Sequence, residues 1–334
     1  GKVGLIKSNP EQSKHLETAV LNFNGREIQF SGFRKETYDT TRIPNVKVGT
    51  VLDDATRRDF SINALFFNLH TKQVEDFTGL GLKDLQARTI RTPLPPKQTF
   101  LDDGLRILRA VRFAHRFYFT IHPDIFEAVK DPEVLIAFRT KVSRERVAIE
   151  LRKMLTENDP AGAIKTLSDF GLLYDVFKLP EGYCEWNLNQ QTPHHELNVL
   201  EHSIEVLKNL NVILNKAGVQ GDNKFVACCA GLLHDLGKLN PACHGYKIKN
   251  GEQRRTYYGH EEHSIKAAEH VLLNLPGVKT KEIQRVKLLI DAARRTNPNH
   301  TPSNEKCNLT RKALGKFARL TGDDWKLAVY VGLA

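Results

Sequence analysis

The chain has 334 residues, a formal net charge of +10 at pH 7 and a pI near 9.3. This length accommodates two or three domains, and the charge favours a polyanionic partner such as RNA, DNA or an acidic membrane. The sequence shows neither an apolar run of about 18 residues nor a signal-peptide pattern, so we expect an intracellular protein, cytoplasmic or mitochondrial, without a membrane span. Its five cysteines lack paired zinc spacing, and we expect them to be scattered core thiols.

The first structural signal is an Asn24-Gly25 pair between two alternating runs, HLETAVLNF and REIQFSGFR. This dipeptide predicts a β-hairpin, with Glu27, Gln29 and Ser31 on one face of the second strand. The middle of that face carries an amide, Gln29, where a metal-dependent active site would need a carboxylate.

Two breaks divide the rest of the chain, the proline-rich TPLPPKQ and the polar, aperiodic LPEGYCEWNLNQQTPHH. Apolar spacing predicts one helix that starts at Leu101 and runs through FLDDGLRILRAVRF. Helical periodicity then continues through SRERVAIELRKML, AGAIKTLSDFGLL, ELNVLEHSIEVLKNL, KFVACCAGLLHDLGKL, HEEHSIKAAEHVLLNL and KEIQRVKLLIDAARR. The predicted fold class is α+β, with a mixed sheet and helices over residues 1–92, a helical part over 93–185 and a second helical part over 186–334.

The predicted helix that opens at FLDDGLRILRAVRF carries paired charges. Asp103 and Arg106 are three residues apart and Asp102 and Arg106 four apart, so on one helix they share a face. Positive charge continues along the helix at Arg109, Arg112 and Arg116. Two interpretations remain open: a solvated helix with ordinary ion pairs, or a carboxylate and guanidinium pair that reads a base edge beside an RNA-binding stripe.

A second chemical signal is LLHDLGK, with His234 and Asp235 adjacent in an apolar helix, His202 on the preceding helix and His260 downstream. Neutral imidazoles joined by a carboxylate suit a divalent transition metal, and a bridging aspartate would support two metals with an activated water. For any single histidine a core or surface role is the alternative. The ordered set favours a metal site.

The segments ATRRDFSINALFFN and VEDFTGLGLKDLQARTIRTPLPPKQTFLDDGLRILRAVRFAHRF together resemble the class II tRNA nucleotidyltransferase and poly(A) polymerase family, which includes the CCA-adding enzymes. The resemblance runs from about Ser8 to Leu179, and KSNPEQSKHLETA, TRIP and SRERV are similar to its eukaryotic branch. It implies that residues 1–92 form a nucleotidyltransferase palm without its first strands, that residues 93–185 are an RNA-binding neck and body, and that an active palm uses Mg²⁺ with CTP or ATP to extend tRNA or another structured RNA.

The same resemblance assigns roles to individual residues. The positions that grip the ribose and triphosphate of the nucleotide are Arg57, Arg58, Asp59 and Asn63. The positions that select CTP or ATP at the base edge are Asp103 and Arg106, with Arg109 beside them. The flexible link between head and neck contains Asp76, Gly79, Gly81 and Asp84. Gly104 replaces the family's usual proline, which we expect to loosen the start of the helix.

At Gln29 the sequence departs from the family pattern, because an amide occupies the position of a catalytic carboxylate. In the family an acidic residue lies five positions before the arginine that ends this strand, and counting back from Arg34 gives Gln29. The family's Asp-x-Asp pair precedes the strand, and the chain begins too late to contain it. We expect either a portion of a longer polypeptide or a catalytically inactive paralogue that serves as a structural RNA-binding subunit of a ribonucleoprotein, such as an organellar ribosome. A sheet without its first strands needs a covering segment or a partner subunit.

The histidine-rich segment resembles the HD superfamily of metal-dependent phosphohydrolases, a domain that follows the nucleotidyltransferase module in many bacterial relatives. The residues that match its ligand pattern are His202, His234, Asp235 and His260, with Asp291 as the candidate last aspartate. Lys238 is placed to contact a phosphate. The resemblance implies a divalent transition metal over residues 186–334 and a secondary phosphodiesterase or phosphatase activity.

Overall fold

The computed structural model describes residues 3–6, 18–37, 45–190, 197–249, 252–296 and 311–334. The chain divides into two compact units, Gly1–Ser143 and Arg144–Ala334. None of the described helices combines the length and the apolar character that a bilayer span requires. The predicted division after residues 92 and 185 differs from these two units and stays a prediction about domains.

The first unit opens with an antiparallel sheet in the order β1-β2-β3, whose strands are β1 Val3–Ile6, β2 Thr18–Phe23 and β3 Arg26–Ser31. Asn24 and Gly25 have φ of 48° and 75°, and two successive positive φ values are the mark of a type I′ hairpin turn. Val20 of β2 lies opposite Gln29 of β3. The predicted hairpin is confirmed.

The third strand of this sheet is exposed along its length. Large apolar side chains on and beside it, Phe23 and Phe30, lie in solvent. Among the described residues, no strand pairs with its outer edge. The expectation that this sheet needs a covering segment or a partner subunit stays a prediction.

The rest of the first unit consists of short helices and two-stranded sheets. Its strands pair as β4 Arg34–Thr37 with β5 Asn45–Val48, β6 Phe66–Asn68 with β7 Gln73–Glu75, and β8 Thr89–Ile90 with β9 Thr120–Ile121. Its helices are α1 Val51–Thr56, α2 Gly81–Gln86, α3 Pro96–Asp102, α4 Leu105–Phe117, α5 Pro123–Lys130 and α6 Pro132–Lys141. The predicted α+β class is confirmed, with several small sheets.

The prediction of one continuous helix from Leu101 is wrong. Helix α3 ends at Asp102, Asp103 is extended with φ of −148°, and α4 starts at Leu105. The Asp103 carboxylate accepts the backbone N–H of Leu105 at 3.1 Å, a local bond that competes with helix formation. Asp103 and Arg106 are therefore not on one continuous helix, and their spacing of three residues does not place them on one helix face.

Gly104 has a packing role at this break. A Cβ atom there would lie 3.0 Å from the Cα of Phe138 in α6. Because that distance is shorter than ordinary van der Waals contact, the glycine lets the start of α4 approach α6 closely. This packing role is additional to the expected loosening of the helix start, which stays a prediction.

The second unit is a helical assembly with one β-hairpin. Its helices are α7 Arg144–Thr156, α8 Pro160–Asp169, α9 Leu173–Val176, α10 Val199–Lys216, α11 Gly221–Leu233, α12 His260–Leu273, α13 Thr280–Thr296, α14 Arg311–Thr321 and α15 Trp325–Leu333. Its strands are β10 His244–Lys249 and β11 Glu252–Tyr257, which pair antiparallel. Buried thiols contribute to its core at Cys228, Cys229 and Cys243. Cys307 lies outside the described residues.

The predicted break at LPEGYCEWNLNQQTPHH is folded into this unit over its described part. Trp186 and Gln190 are buried. The backbone N–H of Cys184 donates to the carbonyl of Leu239 at 2.7 Å, and that of Leu200 donates to the carbonyl of Trp186 at 2.9 Å. Residues 179–190 are therefore packed structure, although the sequence there is polar and aperiodic.

An ion pair joins the helices before this segment to those after it. Arg152 of α7 donates through both terminal nitrogens to Glu282 of α13, at 2.9 Å each, and its guanidinium lies 3.9 Å from the ring centre of Phe225 in α11. Burial acts to raise the pKa of Glu282, but hydrogen bonds from Arg152 and from the Lys279 backbone hold that pKa below its ordinary value. The pair therefore contributes to the stability of the second unit.

Replacing Arg152 with Ala should lower the free energy of unfolding by about 2 kcal/mol, because the buried Glu282 carboxylate would lose its bidentate partner. Urea unfolding followed by circular dichroism measures the change. The control is Lys165→Ala, which removes an exposed ion pair with Asp169 and should change stability by less than about 0.5 kcal/mol. Equal unfolding midpoints for both variants would contradict the assigned role of Arg152.

Candidate functional site

Helix α1 carries a buried carboxylate in the first unit. Thr50 caps the helix, since its side chain accepts the N–H of Asp53 while the Asp53 side chain accepts the N–H of Thr50. The next residue, Asp54, is buried and accepts hydrogen bonds from Arg57 Nε at 3.0 Å and Arg58 Nη2 at 2.9 Å. Burial acts to raise the pKa of Asp54, but these two arginines hold it below its ordinary value.

The two arginines extend this network in different directions. Arg57 Nη1 donates to Glu36 of β4 at 2.8 Å, and Arg58 Nη1 donates to the carbonyl of Asn63 at 2.8 Å. The Arg58 guanidinium also lies 4.7 Å from the ring centre of Phe66. Each guanidinium is thus held by a carboxylate on one side and by a second contact on the other.

Asp59 connects this loop to helix α4. Its Oδ1 accepts the Asn63 side-chain amide at 3.0 Å and the backbone N–H of Phe60 at 2.9 Å. Its Oδ2 accepts Arg109 Nε at 2.7 Å, and Arg109 Nη2 lies 2.6 Å from the same oxygen. A single carboxylate therefore fixes a loop amide and a helix guanidinium that lie far apart in sequence.

Arg106 lies in the first turn of α4 and is buried. Its Nη2 donates to the backbone carbonyl of Arg57 at 2.7 Å, and its Nη1 lies 3.4 Å from the carbonyl of Thr99. Beside it, burial raises the pKa of Asp102, while the charges of Arg106 and Lys141 act to lower it. Direct contacts thus place Arg106 next to the residues predicted to hold the triphosphate.

One contact network joins six of the predicted nucleotide-binding residues, Arg57, Arg58, Asp59, Asn63, Arg106 and Arg109. Asp103 lies at the break before α4. The predicted head-to-neck link is an ordered turn in which the Asp76 carboxylate accepts the N–H groups of Thr78 and Leu82, and Asp84 is buried against Ser61. The roles given to these residues stay predictions.

The two arginines predicted to bind RNA differ in exposure. Arg112 is only 4% exposed and its guanidinium lies 4.3 Å from the ring centre of Phe113. Arg116 is exposed and lies over the ring of Phe117. A phosphate in solvent therefore has direct access to Arg116, whereas Arg112 packs inside the unit.

On strand β3 the Gln29 amide donates to the carboxylate of Glu27 at 2.7 Å. Both side chains are exposed and share one face, as the hairpin predicted. The Gln29 position presents a neutral amide, which is a weaker ligand for a hard cation and carries no compensating charge. It does not fit an anionic Mg²⁺ ligand.

The second unit assembles the predicted histidine cluster around Asp235. His202 Nε2 and His234 Nε2 each lie 3.3 Å from Asp235 Oδ2, and His260 Nε2 lies 3.6 Å from Oδ1. The placement of His234 and Asp235 inside a helix is wrong, since α11 ends at Leu233. A short 3-10 helix, Leu236–Leu239, follows them and turns the chain towards α12.

Backbone carbonyls orient two of the imidazoles. His234 Nδ1 lies 2.8 Å from the carbonyl oxygen of Gly231, and His260 Nδ1 lies 2.8 Å from that of Tyr257. Since a carbonyl oxygen only accepts hydrogen bonds, the Nδ1 atom of each imidazole carries the hydrogen. The Nε2 atom of each ring faces Asp235 and is available as a metal ligand.

Gly237 sets the position of His260. A Cβ atom at Gly237 would lie 1.8 Å from the carbonyl oxygen of His260 and 2.6 Å from the nitrogen of Ser264. The Gly237 N–H donates to the Ser264 hydroxyl at 2.8 Å. Only a glycine permits this close approach of the 3-10 helix to the start of α12.

The donor set fits a divalent transition metal. Ligand atoms of His202, His234 and Asp235 all lie within 4.8 Å of one another, and two imidazoles with one carboxylate are a donor set that such ions prefer. Burial acts to raise the pKa of Asp235, but the charges of His234 and Lys238 hold it well below its ordinary value. His260 lies beside the three, and Asp291 on α13 stays a predicted ligand.

Two features at or beside this site were not predicted from the sequence. Lys238 Nζ lies 2.8 Å from Asp235 Oδ2 and donates to Gln190 Oε1 at 2.9 Å, so it is buried in the cluster rather than free for a phosphate, and Gln190 lies in the predicted break. The β10–β11 hairpin was also missed, although an Asn-Gly pair between HGYKIK and EQRRTY gives the same signal as the first hairpin.

Three family models match successive segments of the chain. They are the poly A polymerase head domain over residues 4–91, the segment described as "Probable RNA and SrmB- binding site of polymerase A" over 118–183, and the HD domain over 199–311. The first part of the chain therefore matches the models of the polymerase head domain and of the segment after it, and the HD domain model matches the part that follows. This confirms the family and the domain that the sequence motifs predicted.

Curated relatives agree. The mitochondrial CCA tRNA nucleotidyltransferase of Saccharomyces cerevisiae is 51% identical over 163 residues, which cover 48% of this chain and 30% of the relative. The tRNA nucleotidyltransferase cca2 of Schizosaccharomyces pombe is 54% identical over 154 residues, which cover 46% of this chain and 32% of the relative. The A-adding tRNA nucleotidyltransferase of Deinococcus radiodurans is 32% identical over 248 residues, or 72% of this chain and 52% of the relative. The chain thus spans about a third of the length of the two fungal relatives.

Solved structures show the same fold. A CCA-adding enzyme in its apo form II has a TM-score of 0.61 at 20% identity, covering 100% of this chain and 66% of that one. A complex of CCA-adding enzyme with ATP has a TM-score of 0.58 at 20% identity, covering 100% of this chain and 64% of that one. At this identity the likeness establishes the fold alone.

Protein purified without chelator should carry a divalent ion, and His234→Ala should lose it, because the imidazole supplies one of three neighbouring ligand atoms. Elemental analysis by mass spectrometry measures the metal per chain. The control is His270→Ala, an exposed histidine on α12, which should retain the metal. A chain that takes up neither manganese, cobalt, nickel nor zinc would leave these histidines with a packing role only.

Proposed function

We propose that this chain recognises CTP or ATP together with the 3′ end of tRNA, as the nucleotide-selecting part of a tRNA nucleotidyltransferase. The observation that carries the proposal is the Asp59 carboxylate, which fixes Asn63 and Arg109 in the network that also holds Arg57 and Arg106. The site of action is intracellular, cytoplasmic or mitochondrial. The Saccharomyces relative is named a mitochondrial protein.

The network suits a triphosphate because it presents oriented positive charge. The side chains of Arg57, Arg58 and Arg109 are 24%, 34% and 31% exposed, so each is reachable from solvent. The carboxylates that hold them are almost buried. A phosphate can therefore meet guanidinium groups that are already ordered, which lowers the entropic cost of binding.

Base selection is proposed to rest on Asp103 and Arg106. A guanidinium offers a fixed fork of donors and a carboxylate offers acceptors, so together they can complement the hydrogen-bonding edge of cytosine or adenine. Arg106 is oriented by the carbonyls of Arg57 and Thr99. These contacts hold it in one direction before a nucleotide arrives.

RNA binding is proposed to use exposed basic side chains such as Arg116. The overall charge of +10 supports a polyanionic partner, and the segment 118–183 matches a family model of RNA binding. The solved relatives include a Thermotoga maritima CCA-adding enzyme complexed with tRNA. The alternative of a catalytically inactive structural subunit gains no support from the relatives, because those reported above are named as nucleotidyltransferases.

Nucleotidyltransferases of this kind use divalent metal ions with CTP or ATP. Strand β3 offers the Gln29 amide where an anionic ligand is needed, so no chemical step is assigned to this strand. The proposal for the chain therefore concerns recognition of the nucleotide and the RNA end.

The His202, His234 and Asp235 cluster favours a second function, a metal-dependent phosphohydrolase. A metal bound there would supply an activated water and a Lewis acid for a phosphate ester. In the chain itself, Gly231 and Tyr257 orient two imidazoles and Lys238 compensates the charge of Asp235. The His234→Ala variant should lose phosphate-ester hydrolysis together with the metal.

Replacing Arg106 with Ala should weaken CTP and ATP binding by about 1.5 to 3 kcal/mol, the usual loss for a hydrogen bond to a charged group. It should also remove the preference for CTP and ATP over UTP and GTP, which a purely structural role for Arg106 would leave in place. Titration calorimetry measures both effects. Arg116→Ala, on the exposed side of the same helix, is the control and should leave all four affinities unchanged.

The 334-residue chain should bind CTP and ATP without extending a tRNA that ends before CCA, even with Mg²⁺. Gln29 is a neutral amide, and residues 1–28 contain no aspartate. Gln29→Glu alone should not restore extension, whereas the same variant supplied with a segment that bears Asp-x-Asp should. Gel analysis of labelled tRNA measures the products. Efficient extension by the unaltered chain would show that the assigned position is wrong, with Glu27 the next residue to test.

A further inference from the structure

The β10–β11 hairpin is anchored at its base beside the histidine cluster. The Tyr257 hydroxyl donates to the carbonyl of Gln190 at 3.0 Å, and His244 Nε2 lies 2.8 Å from the carbonyl of Lys238. The rings of His244 and Tyr257, which are opposite each other in the strand register, meet edge to face. Hydrogen bonds therefore hold the base of the hairpin in a fixed position in the second unit.

The hairpin and the residue after it are aromatic and basic. On β10, Tyr246 is 56% exposed and Ile248, nearer the turn, is 81% exposed. Tyr258 directly follows β11 at the base and is 58% exposed. Residues 244–258 contain four basic residues and one acidic residue, which are Lys247, Lys249, Arg254, Arg255 and Glu252. This excess of positive charge in the sequence complements a polyanion.

Each exposed tyrosine ring has a cation beside it. Tyr246 lies opposite Arg255 in the register, with the guanidinium 5.9 Å from the ring centre and Arg255 Nη2 3.5 Å from the Tyr246 hydroxyl. Lys247, on the other face of β10, has its ammonium 5.1 Å from the ring centre of Tyr258. Both faces of the hairpin thus offer a flat ring and a positive charge together.

We propose that the β10–β11 hairpin is a binding surface for single-stranded nucleic acid, separate from the nucleotide network of the first unit. Nucleobases stack on exposed aromatic rings while cations neutralise the adjoining phosphates, and this combination binds single strands with little sequence preference. An acidic polypeptide matches the charge but has no flat group for each tyrosine. The rings therefore favour a nucleic-acid strand over an acidic protein.

The test uses the full chain and a fluorescent single-stranded RNA of about 12 nucleotides, a length within the range of single-strand sites. Fluorescence anisotropy should show that Tyr258→Ala weakens binding about fivefold or more, as loss of one stacked base predicts. Tyr258→Phe should bind like the unaltered chain, because the ring is retained. Lys247→Glu should also weaken binding, with a smaller dependence on salt.

The matched control is Trp325→Ala, which removes another exposed ring with a cation beside it, that of Lys326 at 5.6 Å. This variant should keep the original affinity. Photo-crosslinking with 4-thiouridine in the RNA should label residues 244–258, which distinguishes the hairpin from RNA contacts in the first unit. The proposal is overturned if Tyr258→Ala and Lys247→Glu bind as the unaltered chain does and no crosslink falls in the hairpin. It is equally overturned if poly-glutamate displaces the RNA as well as unlabelled RNA does and Tyr258→Ala has no effect.

Discussion

The requirement that a buried carboxylate be paired organises both units of this chain. In the first unit Asp54 and Asp59 are largely removed from water, and each would be costly to bury as an isolated charge. Their partners Arg57, Arg58 and Arg109 are held in place by that requirement. The helix after Thr50, the loop that contains Asn63 and helix α4 are joined because these charges must meet. The guanidinium groups proposed to bind the triphosphate are thus positioned by the fold itself, before a ligand binds.

Asp235 imposes the same constraint on the second unit with different chemistry. Its partners are three imidazoles and one ammonium group. Because metal binding displaces protons from the ligand atoms, the charge next to the carboxylate differs between the metal-free and the metal-bound site. The close contact at Gly237 fixes the distance between the 3-10 helix and the start of α12, and hence the approach of His260. Lys238 compensates the carboxylate from the other side and reaches Gln190. The polar segment before α10 is therefore part of the cluster's support.

Local signals in the sequence predicted local structure well. Asn24-Gly25 predicted the first hairpin because two positive φ values are accessible to this dipeptide. Periodicity predicted six helices of the second unit, α7, α8 and α10 to α13, but not α9, α14 or α15. The break at Asp103 was hidden because Leu101, Leu105 and Leu108 keep helical spacing across it. The burial of Arg112 was equally hidden, since charge indicates a solvent position unless the packing is known. The role of Gln190 depends on a contact with Lys238 that no sequence pattern records.

The exposed position of Gln29 explains how recognition and chemistry can separate in such a fold. A side chain on the open face of β3 contributes little to stability, so replacing a carboxylate there with an amide costs the fold almost nothing. Asp54 and Asp59 differ, because loss of either carboxylate would remove charged hydrogen bonds that join separate parts of the first unit, and would destabilise it. Folding therefore preserves the residues proposed to bind the nucleotide whether or not transfer occurs. The exposed β3 position predicted to hold a metal ligand has no comparable structural constraint.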